Sequence, residues 1–153
     1  MTSTPAAPSD WRSHLLESSE QIRALLHHVK RIAVVGIKTE AQSYQPAYYV
    51  PEYVQSAGYE IIPVPVYYPE ATSILGQPVY RRVADIPGEV DLVNLFRRSE
   101  DVPPHVDDML AKNPKAVWMQ SGIRNDEVAE RLARAGIDVV QDRCLMVEVR
   151  RMR

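Results

Sequence analysis

The chain has 153 residues, 45% of them apolar and 25% charged, enough for one full hydrophobic core without disulfides or a structural metal. Lys and Arg number 18 against 20 Asp and Glu, a net charge of −2, so there is no overall positive field to hold nucleic-acid phosphates, and nucleic-acid binding is disfavoured. The single cysteine, Cys144, excludes an internal disulfide framework and any Cys-cluster metal site; no apolar run approaches the ~20 residues of a membrane span, and the start MTSTPAAPSD has no signal-peptide pattern, so the expected location is the cytoplasm, with no membrane partner.

Residues 1–9 carry no large apolar group beyond Met1 and read as a loose tail. From Asp10 the pattern turns helical. Asp10 suits the cap of a first segment with Trp11, Leu15 and Leu16, and Ser18 or Ser19 that of a second with Ile22, Leu25, Leu26 and Val29. Residues 1–29 are thus a tail and helical arm preceding a domain over 30–153. Five β-rich runs follow, at 31–36, 59–64, 90–96, 115–119 and 137–140. Their continuous apolar character is that of strands buried on both faces of a parallel sheet.

Helical patterns separate the runs. One spans 46–57, where Pro51 is expected to start or kink the helix. Another begins near Pro103, carries Val106, Met109 and Leu110, and ends at Asn113-Pro114. A third is capped by Asn125, faces the sheet with Val128, Leu132 and Ala135, and stops at Gly136. The stretch 64–85, interrupted by Pro65, Pro69, Gly76 and Pro78, reads as a loop with at most one helical turn, placed to cover a ligand. This alternation predicts an α/β, Rossmann-like, doubly wound five-stranded parallel sheet, in the order 3-2-1-4-5, with an N-terminal helical extension.

In such a sheet ligands sit beyond the carboxyl ends of the strands. Those ends are Gly36, Ile37, Lys38 and Thr39; Pro63, Val64 and Pro65; Phe96, Arg97 and Arg98; Gln120, Ser121 and Gly122; and Asp142, Arg143 and Cys144. One glycine stands where a dinucleotide fingerprint needs three, and no Walker A loop is present, which argues against NAD, ATP and GTP chemistry. Gly36, Lys38, Thr39 and the helix N-terminus beyond them make an anion cradle suited to a pyrophosphate. Arg97 reads equally as a phosphate partner or a solvated loop residue, and Arg98 as solvated. Trp118 reads as core. The dense tyrosines Tyr44, Tyr48, Tyr49, Tyr53, Tyr67 and Tyr68 read chiefly as amphipathic surface, with adenine stacking or a dimer interface as alternatives. Cys144, beside Arg143, is either a small buried hydrophobe or a ligand contact. The histidines His14, His27, His28 and His105 form no metal or triad pattern, and Arg150, Arg151 and Arg153 read as a solvated basic terminus.

Together the segments RIAVVGIK, GYEIIPVPVYYPE, ILGQPVYRRVADIP, DLVNLFRRSEDVPPHVDDML and KAVWMQSGIRNDEVAERLARAGIDVVQDRCL resemble the small single-domain CoA-binding proteins, whose fold recurs in the CoA-binding domain of succinyl-CoA synthetase. The resemblance runs from about Lys30 to Val149. It implies coenzyme A or an acyl-CoA as ligand, with the first loop and helix N-terminus at the pyrophosphate and the later strand ends around adenosine and pantetheine. Gly36, Lys38, Val64, Phe96, Arg97, Gln120, Gly122, Arg143 and Cys144 are the positions it marks. Two segments depart from the family pattern: Gln45-Pro-Ala-Tyr-Tyr-Val50 stands where many members read R-P-S-x-R-V, and Pro65 where they carry the Asn of P-V-N-P. The larger relatives are ligases that use extra domains and a phosphorylated histidine, which this chain does not itself supply. The expected function is CoA binding without evident catalysis. The alternatives are a thiol-redox protein in which Cys144 forms a mixed disulfide with CoA, and a nucleotide-binding interaction module, with a homodimer as a possible assembly.

Overall fold

A computed structural model describes residues 8–152; most of the expected tail lies outside these residues. A 3₁₀ turn, Pro8–His14, leads to Leu15, which bridges Val139 in parallel, and to α1 (Ser19–His27). The Ser18 hydroxyl accepts a hydrogen bond from Gln21 N at 3.1 Å while Gln21 Oε1 accepts one from Ser18 N, so the two residues cap α1 reciprocally. Then come β1 (Arg31–Val35), α2 (Pro46–Ser56), β2 (Glu60–Val64), the two-residue strands β3 (Ser73–Ile74) and β4 (Gln77–Pro78), and β5 (Leu92–Leu95). The chain continues through α3 (Val106–Lys112), β6 (Ala116–Met119), α4 (Asp126–Arg134), β7 (Asp138–Val140) and α5 (Leu145–Arg151). Among the described residues, no helix is long and apolar enough to cross a membrane.

The five long runs form one parallel sheet covered by helices on both faces, the doubly wound Rossmann-like class expected from the alternation of elements. Val106 and Met109 of α3 and Val128 and Leu132 of α4 bury one face. Ile22 and Leu26 of α1, Val50 and Val54 of α2, and Leu145 and Val149 of α5 bury the other. The N-terminal arm is therefore built into the core through α1.

The strand order is β2-β1-β5-β6-β7. It corrects the expected 3-2-1-4-5: the third long strand, β5, lies beside the first and not outside the second. Pro63 is one cause. Residues 60 and 64 of β2 face β1, where Glu60 N donates to Lys30 O and Val64 O accepts from Gly36 N, so Pro63 turns its missing N–H to the opposite edge. A proline there cannot complete a second ladder, and β2 must be an edge strand. Its free carbonyl accepts a hydrogen bond from Tyr80 N at 3.0 Å, so the chain beyond the β3–β4 hairpin occupies that edge. At the start of β5, Asp91 accepts hydrogen bonds from Lys30 N and Arg31 N, both at 2.9 Å, which draws the strand against β1.

Two further elements differ from expectation. The stretch 64–85 contains the β3–β4 hairpin as well as a 3₁₀ turn; Leu75 and Gly76 both take positive φ (54° and 75°), as a two-residue hairpin turn requires. The basic terminus is helical: Arg150 and Arg151, exposed as expected, form the last turn of α5, whose Leu145, Glu148 and Val149 are buried.

Candidate functional site

The connections after β1 and β5 lead to helices on opposite faces, so a crevice opens between the carboxyl ends of these two strands. Gly36 forms its floor. A Cβ on this residue would lie 2.3 Å from Phe96 O, and its φ is +87°, so only glycine allows the two strand ends to close up. Above them lies a cleft of about 690 Å³, within the range of small-molecule sites.

On the β1 side the cleft meets Lys38 and the start of α2. Pro46 occupies the first helical position, and Pro51 falls inside a helix that continues to Ser56, so it neither starts nor ends it. Lacking an N–H, Pro51 cannot bond to Ala47 O four residues earlier; Lys38 N takes that place, donating to Ala47 O at 3.1 Å. The loop is thereby tied to the first turn of α2. The Lys38 ammonium makes no ion pair among the described residues and stands 6.0 Å from the Tyr68 ring centre.

Arg97, after β5, donates from Nε to His105 Nε2 at 3.2 Å and lies 5.9 Å from the Tyr67 ring centre. Burial, together with the adjacent Arg97 charge, holds the His105 pKa below the ordinary histidine value, against the opposing pull of Asp108 and Asp101. Neutral His105 can accept the Arg97 hydrogen bond and leaves the rest of the guanidinium unpaired. Arg98 borders the cleft but is bound to Asp101 at 2.9 Å, the solvated role expected of it.

On the β6 side stand Gln120, Ser121, Gly122 and, at the start of α5, Cys144. Gln120 is only 4% exposed, and its Oε1 accepts hydrogen bonds from Asn94 Nδ2 and from Leu145 N, each at 3.2 Å. Asn94 is fully buried in β5, and its Oδ1 has no hydrogen-bond partner, a cost of about 1–3 kcal/mol for an enclosed carbonyl. Gly122 N donates to Asp142 Oδ1 at 2.7 Å, which fixes the turn after β6. Trp118 is fully buried and donates to Arg143 O at 2.8 Å, as a core residue should.

Of the sixteen strand-end residues named in the sequence, Gly36, Lys38, Phe96, Arg97, Arg98, Gln120, Ser121, Gly122 and Cys144 line the cleft. The other seven do not, Asp142 being bound to the amide of Gly122. Ile37 is buried in the core. The Thr39 hydroxyl donates to Gln42 Oε1 at 2.6 Å. Pro63, Val64 and Pro65 lie at the edge strand, away from the crevice between β1 and β5. Arg143 turns toward the N-terminal arm, donating to Glu17 O at 2.5 Å and lying 3.5 Å from Glu148, so it is not directed at the cleft beside Cys144. The cleft also uses Pro46, Tyr49 and Val50 of α2, Tyr67, Ile123 and Met146, none of which was singled out as a site residue. Tyr49 and Tyr67 belong to the dense tyrosine cluster, which was the available signal.

A family model described as a CoA binding domain matches residues 30–150. The chain belongs to this CoA-binding domain family. Protein YneT of Bacillus subtilis (strain 168) is 36% identical over 130 residues, covering 85% of this chain and 93% of its own. A structure from Thermus thermophilus superposes with a TM-score of 0.81 at 37% identity, covering 90% of this chain and all of that one. The dinucleotide-forming acetyl-coenzyme A synthetase 1 of Ca. Korarchaeum cryptofilum shares the fold at 21% identity and a TM-score of 0.60, with 72% of this chain matching 25% of that enzyme.

Proposed function

We propose that the protein binds coenzyme A or an acyl-CoA in the cleft above β1, β5 and β6, without chemistry of its own on the ligand. Membership of the CoA-binding domain family supports this reading. The observation that carries it is the pair of cations, Lys38 and Arg97, which border the cleft with no carboxylate bound to either among the described residues. Lys38 is tied through its amide to the first turn of the eleven-residue α2, and Pro46 at the start of that helix lines the same cleft, so the helix dipole also favours an anion there. Such a group suits a pyrophosphate. The lining offers no nucleophile paired with a base: His105 is engaged by Arg97, and His14 pairs with Asp138 at 2.7 Å, away from the cleft. Native mass spectrometry with CoA, NAD and ATP supplied separately tests the reading. Selective retention of CoA is expected, and retention of NAD or ATP in its place would overturn it.

A second reading rests on Cys144, a half-buried free thiol that lines the same cleft. Its thiolate would attack one sulfur of CoA disulfide, forming a protein–CoA mixed disulfide and releasing the other CoA as thiolate. Intact mass after incubation with CoA disulfide should show an adduct that disappears on reduction. No adduct on the wild type would remove this reading.

A further inference from the structure

The two ends of the cleft differ in charge. Lys38 and Arg97 follow β1 and β5, whereas Gln120 follows β6, about 10 Å from β1 at ordinary strand spacing. The lining contributed by β6, the turn after it and the start of α5 is Gln120, Ser121, Gly122, Ile123, Cys144 and Met146, none of them charged; Glu100, from the turn after β5, is the carboxylate that borders the cleft. The β6 side thus offers neutral groups, and the cations stand on the β1 and β5 side.

Gln120 is not free to choose how it meets that part. Asn94 Nδ2 and Leu145 N both donate to Oε1, which fills its two lone pairs and fixes the amide in one orientation. The Nε2 group is left with no partner in the protein among the described residues. The one side-chain N or O atom there that is both fully enclosed and unpartnered is Asn94 Oδ1, so Gln120 Nε2 keeps its access to the cleft. Asn94 is itself costly: in an apolar strand it leaves a carbonyl orphaned, and its one side-chain hydrogen bond is the one that orients Gln120. It is a positioning residue.

A fixed amide donor among neutral side chains is complementary to a carbonyl oxygen and far less so to a thiol or a methylene. We infer that Gln120 Nε2 hydrogen-bonds the thioester carbonyl of a bound acyl-CoA, so the site selects short acyl thioesters over ligands lacking that oxygen. This rests on the proposed CoA-binding reading and adds the acyl group to it.

Calorimetric titration of the full chain with acetyl-CoA, S-ethyl-CoA and CoA tests it. S-ethyl-CoA keeps the phosphates, both pantetheine amides and a two-carbon group on sulfur, and lacks only the thioester carbonyl. The wild type should bind acetyl-CoA about tenfold more tightly than S-ethyl-CoA, the effect of one satisfied hydrogen bond in an enclosed site. In Gln120→Met the ratio should fall to about one. Gln120→Glu retains an acceptor for Asn94 and Leu145 but presents an acceptor to the cleft; its ratio should invert, and it decides the matter if the Met variant does not fold. A wild-type ratio near one, or a tenfold ratio that survives the substitutions, overturns the carbonyl assignment while leaving CoA binding in place. Failure of all three ligands to bind the wild type overturns the proposed function and this assignment with it.

Discussion

The two ends of the parallel sheet treat their polar groups in opposite ways. At the amino ends Asp91 accepts from two backbone amides and lies 3.5 Å from Lys115 Nζ, while the Arg31 guanidinium donates to Pro87 O and Glu89 O and pairs with Glu60. At the carboxyl ends the Lys38 ammonium, most of the Arg97 guanidinium and Gln120 Nε2 have no such protein partners among the described residues. Polar groups satisfied internally hold the fold together, and those left over are available to a ligand. Stability and binding are therefore separable by choosing the end of the sheet.

The substitution that should blur the separation most is Gly36→Ala, because it sits where the fold itself shapes the cleft. Left-handed backbone on a non-glycine residue and a Cβ driven into Phe96 O should together cost about 4 kcal/mol in urea unfolding and widen the crevice. At the amino end, Asp91→Ala should lower stability by about 3 kcal/mol, since two backbone amides lose a charged acceptor, with CoA affinity unchanged. Burial pushes the Asp91 pKa up, but the Arg31 and Lys30 amides and Lys115 outweigh it and hold it below the usual carboxylate value. Its contribution is therefore present above the unfolded-state pKa and is lost as pH falls through the lowered folded one; the variant should lack that part of the acid transition.

At the carboxyl end, Arg97→Ala should weaken CoA about tenfold in calorimetry, while adenosine, which has no phosphate, binds unchanged. Equal weakening of both ligands would remove Arg97 from the phosphate end. The smallest effect concerns His105. Its folded pKa lies below the unfolded one, so the stability it contributes is full above about pH 6.5 and declines as pH falls from there toward the folded value. His105→Gln, which keeps an acceptor for Arg97 without a titrating ring, should flatten that slope in pH-dependent urea midpoints.

The five long strands were legible because each is a short, mostly apolar run without polar alternation, a pattern that depends only on burial from both faces. Their order depends on contacts between distant residues, such as Tyr80 with Pro63 and Asp91 with Lys30, which periodicity does not encode. Pro63 nevertheless carried the edge-strand signal in plain view. Helix α5 was obscured by its arginines, although Leu145 and Val149 share one face at i,i+4 spacing. Strand ends located the cleft, but the turn that follows each strand decides which of its residues face it: Phe96 and Arg97 both do, whereas Cys144 lines it while Arg143 reaches Glu17, and Lys38 lines it while Ile37 is buried. The residues contributed by α2 depend on where that helix docks, which no local pattern states.

The vacancy that Pro51 leaves in α2 gives the loop after β1 a distinctive kinetic signature. Because Lys38 N occupies the carbonyl that an ordinary helix would reserve for residue 51, its proton should exchange with solvent on the timescale of a helix interior while its loop neighbours exchange quickly. Restoring an N–H by Pro51→Ala would make Lys38 N share Ala47 O with a second donor. The hold of α2 on the segment that carries Lys38 should then weaken, read as faster exchange of the Lys38 amide, so that one helical proline sets how firmly the loop after β1 is held.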